Sequence, residues 1–140
     1  MNDQSFEILV VDDDPMIFDL FNRIGQQLFT EATFTWVSSP QESLQYLNRQ
    51  STRLPSLVLL DIDFQVGMNG ISWLPELYNR LRGQAPIIML SISNAANDIQ
   101  QAYMAGAVAY TQKPQELQGW KNYVEVLKNI GIKPAFFRRQ

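Results

Sequence analysis

The amino-acid sequence predicts an α/β domain built on a mostly parallel sheet with helices packed against it. Three observations point there. Short runs rich in Val, Ile and Leu take turns with longer stretches whose apolar residues recur at helical spacing, the pattern of βαβ units. The chain has 140 residues, a length that suits about one domain and buries roughly two-thirds of its unfolded surface without a disulfide or metal to hold the core. Polar residues of a consistent kind stand at the ends of the strand-like runs, where open parallel sheets form their sites.

Ile8 to Val11 is an unbroken apolar run, as expected of a strand covered on both faces. Asp12, Asp13 and Asp14 follow, then Pro15; Asp14 suits a helix cap and Pro15 a first helical turn. Ile17, Leu20, Phe21, Ile24 and Leu28 lie at helical spacing. Thr33 to Val37 alternates, with Phe34 and Trp36 on one side. Ser39, Pro40 and Glu42 carry a capping-box signature for a helix bearing Leu44 and Leu47. Leu57 to Leu60 is a second buried-strand run, stopped by Asp61, and a loop through Gly67 and Gly70 leads to a helical stripe of Ile71, Leu74, Leu77, Tyr78 and Leu81. Pro75 falls inside that stripe and should kink or delay the helix. Ile87 to Leu90 ends at Ser91; Ile99, Ala102 and Tyr103 mark another helix, ended near Gly106. Val108 to Thr111 is a short strand before Lys113 and Pro114, and Leu117, Trp120, Val124 and Leu127 line a last helix with Gly131 as its stop.

Composition removes several kinds of chemistry. There is no cysteine, hence no disulfide framework and no thiolate metal site, and no histidine, hence no Ser-His-Asp or Cys-His catalysis and no imidazole ligand. A net charge of −3 gives no electrostatic footprint for nucleic acid, so no direct DNA binding is expected. No basic leader precedes the first apolar run, and no apolar stretch approaches the ~20 residues of a membrane helix. The expected location is the cytoplasm, away from the membrane.

A parallel sheet would gather Asp12, Asp13, Asp61, Ser91 and Lys113 into one crevice although they lie far apart in sequence. Carboxylates collected in this way repel each other unless a cation joins them. All-oxygen ligation favours Mg2+, or Mn2+, over zinc. An aspartate can attack phosphorus to form an aspartyl phosphate. A metal, an ammonium and a hydroxyl can then share the oxygens of the transferring group.

The runs ILVVDDDP, LVLLDIDF, GMNGI, PIIMLS, GAVAY and TQKP resemble, in this order, a bacterial two-component receiver domain, with the likeness covering Glu7 to roughly Ile130. The resemblance implies a doubly wound five-stranded parallel sheet in the order 2-1-3-4-5, with helices on both faces. It implies one receiver domain over 1–140, with its core at about 6–130 and a tail at 131–140. By the same resemblance Asp61 is the phosphoacceptor, Asp12 and Asp13 the metal-binding acidic pair, and the Asp63 backbone carbonyl a further ligand. Ser91 is the switch hydroxyl, Lys113 the phosphoryl contact and Tyr110 the aromatic switch residue, and Pro114 matches a proline usually preceded by a cis bond. A histidine kinase or phosphotransfer protein would donate the phosphoryl group, and the domain would catalyse only its own phosphorylation and dephosphorylation. Output is expected through a surface that binds a downstream protein or a second copy.

Three features depart from the family pattern. Gln65 and Val66 stand where a proline is usual, and the loop to Gly70 is one residue longer. Ile92 replaces a small residue and is expected to crowd the site; the third is Pro75. Asp61-Ile62-Asp63 also resembles the nucleophile motif of haloacid-dehalogenase-type phosphatases, although the acidic pair precedes it here and comes late there. A flavodoxin-like flavin module would meet three carboxylates where flavin phosphate wants amides and hydroxyls. A pseudo-receiver, signalling without phosphorylation, is opposed by the complete set of acceptor, acidic pair, hydroxyl and lysine.

Overall fold

The computed structural model describes residues 6–49, 53–64, 69–92 and 95–132. Strand β1 (Phe6–Val11) leads to helix α1 (Pro15–Leu28), β2 (Ala32–Val37), α2 (Pro40–Arg49) and β3 (Leu57–Asp61). A 3-10 turn (Gly70–Trp73) then opens α3 (Leu74–Arg80), followed by β4 (Ile87–Ser91), α4 (Ala96–Met104), β5 (Ala109–Gln112) and α5 (Leu117–Ile132). The five strands form one sheet in the order β2-β1-β3-β4-β5, as expected. Every neighbouring pair is parallel.

The unbroken apolar runs are explained by two cores. Alternate residues of each central strand point to opposite faces. Leu9, Val11, Val58, Leu60, Ile87 and Met89 face a core closed by Leu47 of α2, Leu74 and Leu77 of α3 and Ala102 of α4. Ile8, Val10, Leu57, Leu59, Ile88 and Leu90 face the other core, closed by Ile17, Phe21 and Ile24 of α1 and Trp120, Val124 and Leu127 of α5. Phe21 joins its two helices to the sheet, stacked on Phe34 at 5.6 Å and meeting Trp120 edge-on at 5.3 Å.

Local signals act close to where they stand. Asp14 caps α1, its Oδ1 accepting the Met16 N–H at 3.0 Å, with Pro15 in the first turn. At α2 the Glu42 N–H donates to Ser39 Oγ at 3.1 Å, but the Glu42 carboxylate reaches back to the Ser38 N–H at 2.8 Å, one residue before the expected partner. Pro75 sits in the first turn of α3 and so delays it behind the 3-10 turn rather than kinking it. Gly106, with φ of 120°, takes the chain out of α4 in a conformation few other residues adopt.

Two expectations fail. Helix α5 runs through Gly131 to Ile132, because a glycine permits a helix to end without compelling it. No cis peptide bond occurs among the described residues, so the bond before Pro114 is trans; the Lys113 N–H continues the strand ladder by donating to the Ser91 carbonyl at 2.7 Å. Gln65, Val66 and Gly67 of the altered loop, and Phe136 and Phe137 of the tail, lie outside the described residues.

Candidate functional site: a carboxylate cluster at the end of the sheet

Strand register brings the acidic residues together. Val11 pairs with Leu60, so Asp12 and Asp61 leave neighbouring strands side by side. Both are almost wholly buried, at 1% exposure each. Asp13 is half-buried next to them, and the three carboxylates offer ligand oxygens that all lie within 4.8 Å of one another. Lys113 follows β5 and reaches across β4, placing Nζ 3.1 Å from Asp12 Oδ2 and 3.1 Å from Asp61 Oδ1.

The remaining oxygens are only partly satisfied. Asp12 Oδ1 accepts the Asp14 N–H at 2.9 Å, and Asp61 Oδ1 accepts the Asp63 N–H at 3.3 Å. Asp61 Oδ2 is buried without a hydrogen-bond partner, and Asp12 Oδ2 has the Lys113 ammonium beside it without an aligned hydrogen bond. Unsatisfied buried acceptors are costly. Three carboxylates against one ammonium leave an excess of negative charge that a hard divalent cation with oxygen ligands would balance.

The charges already feel this arrangement. Burial pushes the Asp61 carboxyl up to about 7, the charge of Asp12 adds to the rise, and Lys113 opposes it. Burial also raises Asp12, with Lys113 pulling the other way. Burial by itself would lower Lys113, but the attraction of Asp12 and Asp61 outweighs it and holds the ammonium above its ordinary range.

The turn after Asp61 is held by residues whose part was not foreseen. Asp63 bridges to Asn69, and the Gly70 N–H donates to the Ile62 carbonyl at 2.7 Å. A Cβ on Gly70 would stand 2.1 Å from the Asp61 carbonyl oxygen, so only glycine fits there. The GMNGI run carried this signal, but its spacing alone does not say which backbone the glycine approaches. Trp36 was also unforeseen: its indole N–H donates to the Asp12 carbonyl at 2.7 Å.

Ser91 and Tyr110 come from the neighbouring strands β4 and β5. Ser91 is fully buried at the end of β4, one residue beyond Leu90, the register partner of Asp61. Tyr110 pairs with Met89 and packs, half-buried, against the core shared with α4. Strand alternation puts Ser91 on the same side of the sheet as Met89 and Tyr110. Ile92, expected to crowd the site, is 68% exposed just beyond the end of β4.

The model of the response regulator receiver domain family matches residues 8–125. The transcriptional regulatory protein MalR of Bacillus subtilis is 33% identical over 112 residues, covering 79% of this chain and 45% of MalR. The nitrate/nitrite response regulator NarL of Escherichia coli is 31% identical over 116 residues, covering 82% of this chain and 51% of NarL. The chain thus spans about half the length of these curated relatives. Among solved structures, the phosphorylated cyanobacterial phytochrome response regulator RcpA superposes with a TM-score of 0.81 at 20% identity, over 94% of this chain and 96% of that one. The response regulator RPA3017, of red light signaling in R. palustris, superposes with a TM-score of 0.78 at 23% identity, over 92% and 95%. At such identities the likeness is one of fold.

Proposed function

Because the chain belongs to the response regulator receiver domain family, we propose that Asp61 is its phosphoacceptor, served by a Mg2+ or Mn2+ site at Asp12, Asp13, Asp61 and the Asp63 backbone carbonyl. The observation that carries the proposal is the junction of the buried Asp61 carboxylate, the acidic pair and Lys113 at one end of the sheet. The domain is a signalling module of two-component systems, and the family match leaves the phosphatase and flavin readings without support. A cation bound there would offset the carboxylate repulsion and withdraw charge from the phosphoryl oxygens.

The chain's own residues supply the remainder. Asp61 Oδ1 is engaged by Lys113 and the Asp63 N–H, while Oδ2 keeps its lone pairs. A carboxylate oxygen of Asp61 attacks phosphorus of a phosphohistidine on a histidine kinase or phosphotransfer protein. The new O–P bond forms as the N–P bond breaks, and the electron pair returns to the imidazole nitrogen, which takes up a proton. Lys113 holds the acceptor and then meets the charge of the attached group. Ser91 hydrogen-bonds a phosphoryl oxygen, and Tyr110, on the same side of the sheet, turns into the space so released. The face of α4, β5 and α5 changes shape and binds a downstream protein or a second copy, without direct DNA contact. No helix among the described residues is long and apolar enough to cross a membrane.

The test is incubation with acetyl phosphate and Mg2+, read by intact mass. The wild type should gain one phosphoryl group, chelator should suppress the gain, and Asp61→Asn should abolish it. Equal labelling of Asp61→Asn would place the acceptor elsewhere.

A further inference from the structure

Strand β2 ends at Val37, whose carbonyl accepts the Asp12 N–H at 3.1 Å as a last rung between β1 and β2. Beyond it the chain turns into α2, and the Ser38 N–H is given to the Glu42 carboxylate at 2.8 Å. The Asp12 carbonyl is met by a side chain. Trp36, in register with Val10, extends forward along the strand and donates its indole N–H at 2.7 Å, shorter than the usual ~2.9–3.0 Å of an N–H···O bond. Its ring is steadied by stacking on Phe18 of α1, with centroids 6.0 Å apart and planes 19° from parallel.

Asp12 is therefore held at its N–H by Val37, at Oδ1 by the Asp14 N–H and at its carbonyl by Trp36. The Asp12 carbonyl and the Asp13 N–H belong to one planar peptide unit. Fixing that carbonyl fixes the plane from which the Asp13 side chain departs. We propose that Trp36 is the positioning residue of the acidic pair, its indole N–H holding the Asp12–Asp13 peptide in the orientation from which Asp13 reaches the cation. This inference rests on the reading of Asp12 and Asp13 as metal ligands. Mg2+ demands near-octahedral geometry, and partners that orient its ligands are worth about tenfold or more in affinity.

Trp36→Phe keeps a smaller aromatic ring beside Phe18 and removes the indole N–H donor. Metal binding is read directly, with Mn2+ followed by electron paramagnetic resonance and Mg2+ by calorimetry. Trp36→Phe should bind both roughly tenfold more weakly, while its melting temperature in chelator stays near that of the wild type. Its labelling by acetyl phosphate should recover at saturating Mg2+, a split that general loss of structure would not produce. In the wild type, the Trp36 indole N–H resonance should shift on Mg2+ addition with the same midpoint as the Asp13 amide, which tests the contact even if the variant folds poorly. An indole resonance that does not move overturns the proposal. Loss of affinity in Asp13→Asn beside unchanged affinity in Trp36→Phe overturns the role of Trp36 and leaves the metal site standing. Unchanged affinity in both overturns the metal reading and this inference with it.

Discussion

Asp61→Asn should stabilise the metal-free domain, by an amount that depends on pH. The Asp61 carboxyl has an ordinary value of 3.8 and is pushed up to about 7 in the fold, chiefly by burial. Between those values the folded chain binds more protons than the unfolded one, so stability falls as pH rises through the window and levels off above it. The window spans about three pH units at about 1.36 kcal/mol each, so the full loss is about 4 kcal/mol, of which about 2.5 kcal/mol falls between pH 5 and pH 8. Asp12 is raised as well and adds a loss of the same sign. Lys113 is also raised, but as a cation it contributes stability at all acid and neutral pH and loses it only as pH rises through its folded value, so it adds no slope here. The assay is urea unfolding in chelator at pH 5, 6, 7 and 8. The wild type should weaken steadily along that series, and Asp61→Asn should be flatter and more stable at pH 8 by up to about 4 kcal/mol. Saturating Mg2+ should flatten the wild-type curve too, since the cation offsets the buried charge. Parallel curves for the two proteins, or a wild type that gains stability with pH, would refute the reasoning.

Three further outcomes are expected. Asp13→Asn should weaken Mg2+ binding strongly in calorimetry, while Asp14→Asn leaves it nearly unchanged because asparagine caps a helix as well as aspartate; Asp14→Ala should cost about 1 kcal/mol in urea unfolding. Gly70→Ala, whose Cβ would stand 2.1 Å from the Asp61 carbonyl oxygen, should lower stability by roughly 1–3 kcal/mol and slow acetyl phosphate labelling by shifting Asp61. Ile92→Ala should leave stability within about 0.5 kcal/mol, and its labelling rate should match the wild type, since the side chain is 68% exposed; a faster rate would restore the crowding first expected there.

Much of the molecule was legible in the residues because the causes are local. Pleat alternation makes a strand covered on both faces read as an unbroken run, which is why Ile8–Val11, Leu57–Leu60 and Ile87–Leu90 were recognisable before any packing was known. Caps act within a turn, so Asp14 and Ser39 announced α1 and α2. The types of the site residues, and their places at strand ends, were legible for the same reason. Other features arise between segments far apart in the chain. Lys113 meets Asp12 and Asp61 only because parallel register aligns three strand ends, and the raised Asp61 carboxyl follows from the burial that alignment creates. The outward course of Ile92, the close approach of Gly70 to Asp61 and the reach of Trp36 to the Asp12 carbonyl depend on side-chain direction and backbone spacing across the sheet. Residue type and spacing say which groups a strand end carries, but the distances between them are set by the packing of the whole sheet against its helices.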